Sequence, residues 1–148
     1  MRESTQTEKT RARKQGQILA LICGLLALIL FYPVLYGLVK QWIEDPNYRH
    51  GLVIPIIILL LARNKVDEIR ALKSSGSTAA GWTVLAVSSI LLVAGTASSE
   101  LFTSRLSFVL FLLGAAFLLA GAALVKKLAA EFILMILMIP LPYIVYYK

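Results

Sequence analysis

The sequence has only one cysteine and one histidine among its 148 residues, and this scarcity excludes several kinds of chemistry. Cys23 alone cannot form an internal disulfide, and its place within an apolar run predicts a small hydrophobic side chain and not a nucleophile. The sequence also lacks a cluster with metal-ligand spacing, a phosphate-binding glycine loop and a Gly-x-Ser-x-Gly elbow. It therefore predicts neither a metal site nor a cofactor.

The long apolar runs lack the polar stripe that a helix at the surface of a soluble protein carries. No such stripe interrupts residues 18–30 or 106–124. Hydrophobic residues make up 59% of the chain and its mean hydropathy is +0.80, more than a soluble domain of this length can bury. We predict an all-α fold, a polytopic membrane protein with about five transmembrane helices in the lipid bilayer.

The net charge of +7 is placed at the ends of the apolar runs and not along one face. This pattern is typical of residues that set membrane topology, and it argues against a nucleic-acid partner. Residues 1–16 are predicted to be a flexible, basic cytoplasmic tail, and residues 17–148 a transmembrane domain. The first apolar run, about residues 17–39, is too long for a signal peptide and has no cleavage site, so it is predicted to be an anchor.

Four further apolar runs cover about residues 51–62, 80–97, 105–125 and 128–147. Lysine and arginine concentrate in alternate loops, which predicts a cytoplasmic N-terminus and outward-facing loops at residues 40–50 and 98–104. Arg105 is predicted to lie at the outer boundary of the fourth run. Small residues in that run predict close packing against neighbouring helices: Gly114, Ala116, Ala120, Gly121 and Ala122.

Two of the runs are predicted to become irregular near the outward face. The run at residues 51–62 is shorter than the ~20 residues that a spanning helix needs. In the last run, Pro140 and Pro142 remove backbone donors and disfavour helix at the residues before them. Irregular backbone at membrane depth is tolerated where it is buried in protein or lines a water-filled cavity. The patterns leave two interpretations open, a shared outward cavity or kinks that serve packing.

The loop between the first two runs gathers an acid, a phenol, a cation and an imidazole in Asp45, Tyr48, Arg49 and His50. One interpretation gives His50 a role in proton transfer or orientation. The other makes these residues helix caps and an interface anchor. An acid in a membrane span, Glu131, is a functional candidate, but its spacing from Lys127 favours an ion pair at the inner surface.

The segment Trp42-Ile-Glu-Asp-Pro-Asn-Tyr-Arg-His-Gly-Leu-Val-Ile-Pro55 resembles the exosortase/archaeosortase family, whose members carry a similar Trp-x-x-Asp-x-x-Tyr-Ser-His-Gly-x-x-x-Pro stretch. Arg49 stands where the family more often has serine. A second segment, Phe132-Ile-Leu-Met-Ile-Leu-Met-Ile-Pro-Leu-Pro142, is similar to the family's apolar run ending in Pro-Leu-Pro. The resemblance covers about residues 18–147.

The resemblance implies part of a membrane-embedded cysteine protease or transpeptidase of the bacterial inner membrane. Such enzymes recognise C-terminal sorting tags of the PEP-CTERM kind on exported proteins: a short motif, a membrane helix and a basic tail. The family's nucleophilic cysteine, arginine and histidine follow the Pro-Leu-Pro segment, so the expectation is an N-terminal portion that is inactive alone. Supporting roles are then expected for Asp45, Tyr48, His50, Gly51, Pro140 and Pro142. The alternative is a non-enzymatic membrane protein, such as a transporter subunit or assembly factor.

Overall fold

A computed structural model of the protein describes residues 2–72 and 78–140, and all regular structure in these two ranges is helical. The elements in chain order are α1 (Arg2–Glu44), a 3₁₀ helix (Pro46–Leu52), α2 (Ile54–Asn64), α3 (Val66–Arg70), α4 (Thr78–Ala97), α5 (Leu101–Lys127) and α6 (Ala129–Leu137). Within the described residues, three segments are long and apolar enough to cross a membrane: Gly24–Glu44, Ala79–Ala97 and Leu101–Lys127. The prediction of an all-α, polytopic membrane protein is confirmed.

Helix α1 begins at Arg2, so residues 2–16 are helical, and their place as a basic cytoplasmic tail stays a prediction. Extending an existing helix fixes one residue per hydrogen bond and avoids the cost of nucleation. The arginine, lysine and glutamate of this segment have good helix propensity, which favours the extension. The chain divides into two compact units, Met1–Pro33 and Val34–Lys148, and the contacts described below lie in the second unit.

Helices α4 and α5 form the most extensive helix pair of the second unit. Small residues allow the two backbones to approach, because a Cβ added at Gly114 would lie 2.9 Å from Leu85 Cγ. The buried Ser88 hydroxyl donates a hydrogen bond of 2.8 Å to the Ser107 carbonyl across the pair. The predicted close packing of the fourth span is therefore present along α4.

The turn between α4 and α5 is held by Glu100, the N-cap of α5. Its carboxylate accepts hydrogen bonds from the Thr103 amide at 3.1 Å and the Thr103 hydroxyl at 2.7 Å. The hydrogen bonds from Thr103 hold the pKa of Glu100 below its ordinary value of 4.5. The cap therefore contributes stability above that value and loses it as the pH falls through the lowered pKa.

A kink interrupts α5 at Gly121, which has a φ of 70° and a ψ of −160°. This conformation lies where residues with a Cβ are rarely found, so glycine is the residue that permits it. Gly121 is buried. The kink redirects the chain before α5 ends at Lys127 and α6 begins at Ala129.

Helices α2 and α6 pack against each other and are both short, with 11 and 9 residues. At 1.5 Å per residue they extend about 16 Å and about 13 Å. They occupy the second and fifth predicted spans. The expected end of the fifth helix near the proline pair is observed, since α6 ends at Leu137 and Pro140 is already outside the helix. Pro142 lies outside the described residues.

Replacing Gly95 with alanine is expected to destabilise the α4–α5 pair by about 2 kcal/mol through overpacking. The added Cβ would lie 2.6 Å from the backbone nitrogen of Ser104, which cannot move without displacing α5. The free energy of unfolding can be measured by circular dichroism in mixed micelles with increasing dodecyl sulfate. The matched control is Gly24→Ala, where no atom lies within 4 Å of the new Cβ and stability should hold or rise slightly. Equal stability of the two variants would contradict the overpacking argument.

Candidate functional site

The indole of Trp42 joins the end of α1 to the segment that follows α6. Trp42 is 4% exposed and forms a buried cluster with Leu38 and Met138. Its Nε1 donates a hydrogen bond of 3.2 Å to the Met138 carbonyl. In a continuing helix this carbonyl would accept from the residue four positions later, but that residue is Pro142, which has no N–H. The indole N–H of Trp42 thus takes the place of the backbone donor that Pro142 lacks.

The 3₁₀ helix that follows α1 is organised by Asp45, its N-cap. One carboxylate oxygen of Asp45 accepts hydrogen bonds of 3.0 Å from both the backbone and the side-chain nitrogen of Asn47. Pro46 occupies the first position of the helix, where its missing donor costs little. The local geometry of Asp45 is therefore that of a helix cap. The residue also lines the cleft described below.

Gly51 lies directly against the Trp42 indole, and a Cβ at this position would overlap the ring atoms. Glycine is therefore required by the close approach of the 3₁₀ helix to the end of α1. Tyr48 and Ile54 are partly buried and pack against the same cluster. The motif residues thus fold back on the tryptophan that begins the motif.

His50 is exposed, and its ring centroid lies 6.4 Å from that of Tyr48 at an interplanar angle of 51°. Pro140 is buried and follows Met138 by two residues. The structure therefore brings Tyr48 and Gly51 to the Trp42 cluster, buries Pro140 two residues after Met138, and leaves His50 exposed. Sequence analysis had named these residues as supporting candidates, and their roles stay predictions.

Arg105 is a site residue that sequence analysis missed, because it was expected only at the boundary of a span. It is 4% exposed and lies in the second turn of α5. Its guanidinium donates to Gln41 Oε1 at 2.6 Å and to the Gly37 carbonyl at 3.4 Å. Gly37 and Gln41 are one helical turn apart, a spacing that could have indicated a shared partner.

A cleft of about 560 Å³ lies between the end of α1 and the start of α5. It combines charges of both signs with polar and apolar side chains. Its lining consists of Gly37, Lys40, Gln41, Glu44, Asp45, Pro46, Leu101 and Arg105. The cleft and the Trp42 cluster use adjacent faces of the last turns of α1.

At the other end of the α2–α6 pair, Glu131 is 3% exposed and forms an ion pair of 2.7 Å with Lys65. The Lys65 ammonium also donates to the Lys127 carbonyl at 2.9 Å. The prediction of an exposed pair between Glu131 and Lys127 was wrong, because the partner is Lys65 and the carboxylate is buried. Lys127 instead pairs with Glu68, whose pKa is held below its usual value chiefly by the hydrogen bond from Lys127.

In the part of the chain that the structure describes, no group of histidine, cysteine and acidic residues is placed to hold a metal ion. The cleft offers a guanidinium, an ammonium and carboxylates, which bind and orient a ligand through charge-assisted hydrogen bonds.

The family model described as transmembrane exosortase matches residues 42–148 of the chain, beginning at Trp42. No curated protein and no solved structure matches the chain significantly.

Proposed function

The chain belongs to the transmembrane exosortase family, and from this premise we propose that it forms part of a membrane-embedded cysteine protease or transpeptidase that processes C-terminal sorting tags of exported proteins. The observation that carries the proposal is the hydrogen bond from Trp42 to the Met138 carbonyl. This bond joins the two segments through which the sequence resembles the family, although 96 positions separate their residues.

The proposed chemistry is acyl transfer. A thiolate attacks the scissile carbonyl of the tag, an acyl-enzyme forms with release of the tag's C-terminal part, and water or an amine then resolves the thioester. The single cysteine of this sequence, Cys23, does not match the position of the family's nucleophile. We assign the described residues to the wall of the site, with Asp45, Tyr48 and His50 in supporting roles at the outer face of the bacterial inner membrane.

The geometry supports a wall of this kind because the irregular backbone around Trp42 is held in place by specific contacts, with Gly51 buried against the indole. Asp45 caps the 3₁₀ helix, and Gly51 packs on the indole. The Met138 carbonyl, which Pro142 cannot bind, accepts a hydrogen bond from Trp42. Irregular backbone of this kind at membrane depth is stable only when protein or a polar cavity surrounds it. Beside it, the cleft at Arg105 supplies polar groups.

Photocross-linking of a tagged reporter tests the proposal with the chain as it exists. The reporter is an exported protein that ends in a short motif, a membrane helix and a basic tail, with a photoreactive residue within the motif. Co-production in bacterial membranes followed by irradiation is expected to give a cross-link to this chain. Peptide mapping should place it within residues 42–55 or 138–140, because these residues form the proposed wall.

The matched control is a reporter with the same helix and basic tail but a scrambled motif, which should lose the cross-link. A reporter that cross-links equally well with the scrambled motif would show that the contact comes from helix packing in the bilayer. That result, or cross-links confined to α4, would overturn the proposed function.

A further inference from the structure

The guanidinium of Arg105 is buried without a counter-charge among residues 2–72 and 78–140. In the described part of the chain it donates hydrogen bonds to Gln41 Oε1 and the Gly37 carbonyl, which are both neutral, and no carboxylate there lies within ion-pair distance. A buried cation is costly unless it is paired. Arg105 lines the cleft of about 560 Å³, so an anion entering this cleft would complete its pairing.

The rim of the cleft carries charges of both signs. Lys40 and Glu44 are one turn apart on α1, with side chains 57% and 64% exposed, and their charged atoms are 3.7 Å apart. An exposed pair at this distance is weak and readily exchanges partners. The cleft therefore offers a buried cation at its wall and an accessible cation and anion at its mouth.

An apolar groove continues from the mouth of the cleft. A second cavity of about 240 Å³ shares Lys40 and Glu44 with the first and is otherwise lined by Tyr36, Val39 and Ile43. These three side chains are 41–60% exposed and lie on α1, within the candidate membrane span Gly24–Glu44. The site thus passes from charged to apolar along the end of a membrane helix.

We propose that this cleft binds a phospholipid with a zwitterionic, amine-bearing headgroup. The lipid phosphate pairs with Arg105, whose planar guanidinium suits phosphate oxygens. The ammonium of the headgroup replaces Lys40 as the partner of Glu44. One acyl chain lies along Tyr36, Val39 and Ile43. A peptide segment fits less well, because the walls are mostly helix, whose backbone groups are already paired, as in the bond from the Asp45 amide to the Gln41 carbonyl.

Lipid retention tests the proposal. The purified chain is placed in nanodiscs that contain phosphatidylethanolamine, phosphatidylcholine and phosphatidylglycerol in equal amounts and with the same acyl chains. It is then released into mild detergent, and native mass spectrometry counts the lipids that stay bound. Wild type is expected to retain one phosphatidylethanolamine. Arg105→Met should lower its occupancy by about tenfold, because a charge-assisted phosphate contact is lost.

Glu44→Gln keeps the proposal testable if the buried Arg105 variant folds poorly, since Glu44 is mostly exposed. This variant should retain phosphatidylcholine and phosphatidylethanolamine equally. The control Arg63→Met removes an exposed cation elsewhere and should leave retention unchanged. Circular dichroism of each variant checks the fold.

Four results would each overturn the proposal. They are equal retention of all three lipids by wild type, unchanged retention in a folded Arg105→Met protein, displacement of the lipid by inorganic phosphate alone, and its replacement by a tag peptide.

Discussion

Replacing Lys65 with methionine is expected to lower the free energy of unfolding by about 3–5 kcal/mol, as when one partner of a buried ion pair is removed. The change leaves the Glu131 carboxylate, 3% exposed, without its cation, and it also removes the donor to the Lys127 carbonyl. Because these contacts join the end of α2 to the start of α6, both helices should loosen together. Unfolding by dodecyl sulfate, followed by circular dichroism, measures the loss.

Two companion variants separate charge burial from general damage. Glu68→Gln removes the acid of the exposed pair with Lys127 and should leave stability nearly unchanged. The double variant Lys65→Met with Glu131→Leu should recover much of the loss, since an apolar pair of similar volume avoids the buried charge. A double variant as unstable as Lys65→Met alone would show that the ion pair itself stabilises the fold.

Trp42→Ala is expected to release the 3₁₀ helix from the segment after α6, at a cost of about 3–5 kcal/mol for the loss of a buried aromatic side chain. The indole fills the space between Leu38, Met138 and Gly51, and its Nε1 binds the Met138 carbonyl. Hydrogen–deuterium exchange in nanodiscs should then report faster exchange at amides bonded within this region. Examples are the Tyr48 amide, which donates to the Asp45 carbonyl, and the Val53 amide, which donates to the His50 carbonyl.

Trp42→Phe retains most of the packing and removes the indole donor, so its cost should be about 1 kcal/mol. Gly51→Ala leaves the indole intact but forces it to move, and it should accelerate exchange in the same amides. Exchange in Trp42→Ala that matches wild type would refute the role of the indole as the link between the two segments.

The features that sequence analysis predicted well are those that depend on neighbouring residues. Hydropathy located α4 and α5 within a few residues of their observed ends, because every residue in an apolar run reports the same environment. The break before Pro140 was predictable for a similar reason, since a proline affects its own residue and the one before it. The shortness of the apolar run at residues 51–62 also indicated that this part of the chain would be irregular.

The features that it missed depend on residues far apart in the chain. Lys65 and Glu131 are separated by 66 positions, whereas Lys127 is four positions from Glu131 and was the natural local choice. Arg105 donates a hydrogen bond to Gln41, which lies 64 positions earlier, and no neighbouring residue in the sequence indicates that Arg105 is buried. Trp42 was identified only as the first residue of the motif, because an aromatic residue at the end of a span gives no sign of its partner.

Helices α2 and α6, with 11 and 9 residues, are too short to cross a bilayer by themselves. About 16 Å separates the ends of α2, whereas a hydrocarbon core is about 30 Å thick. A bilayer next to a short pair either compresses or admits water at one end. A membrane helix of ordinary length beside α2 and α6 would then keep part of its apolar stretch in contact with the aqueous phase. Under the proposed function, peptide-bond chemistry on a membrane-anchored chain needs contact between water and a hydrophobic helix, and the short α2 and α6 would allow that contact.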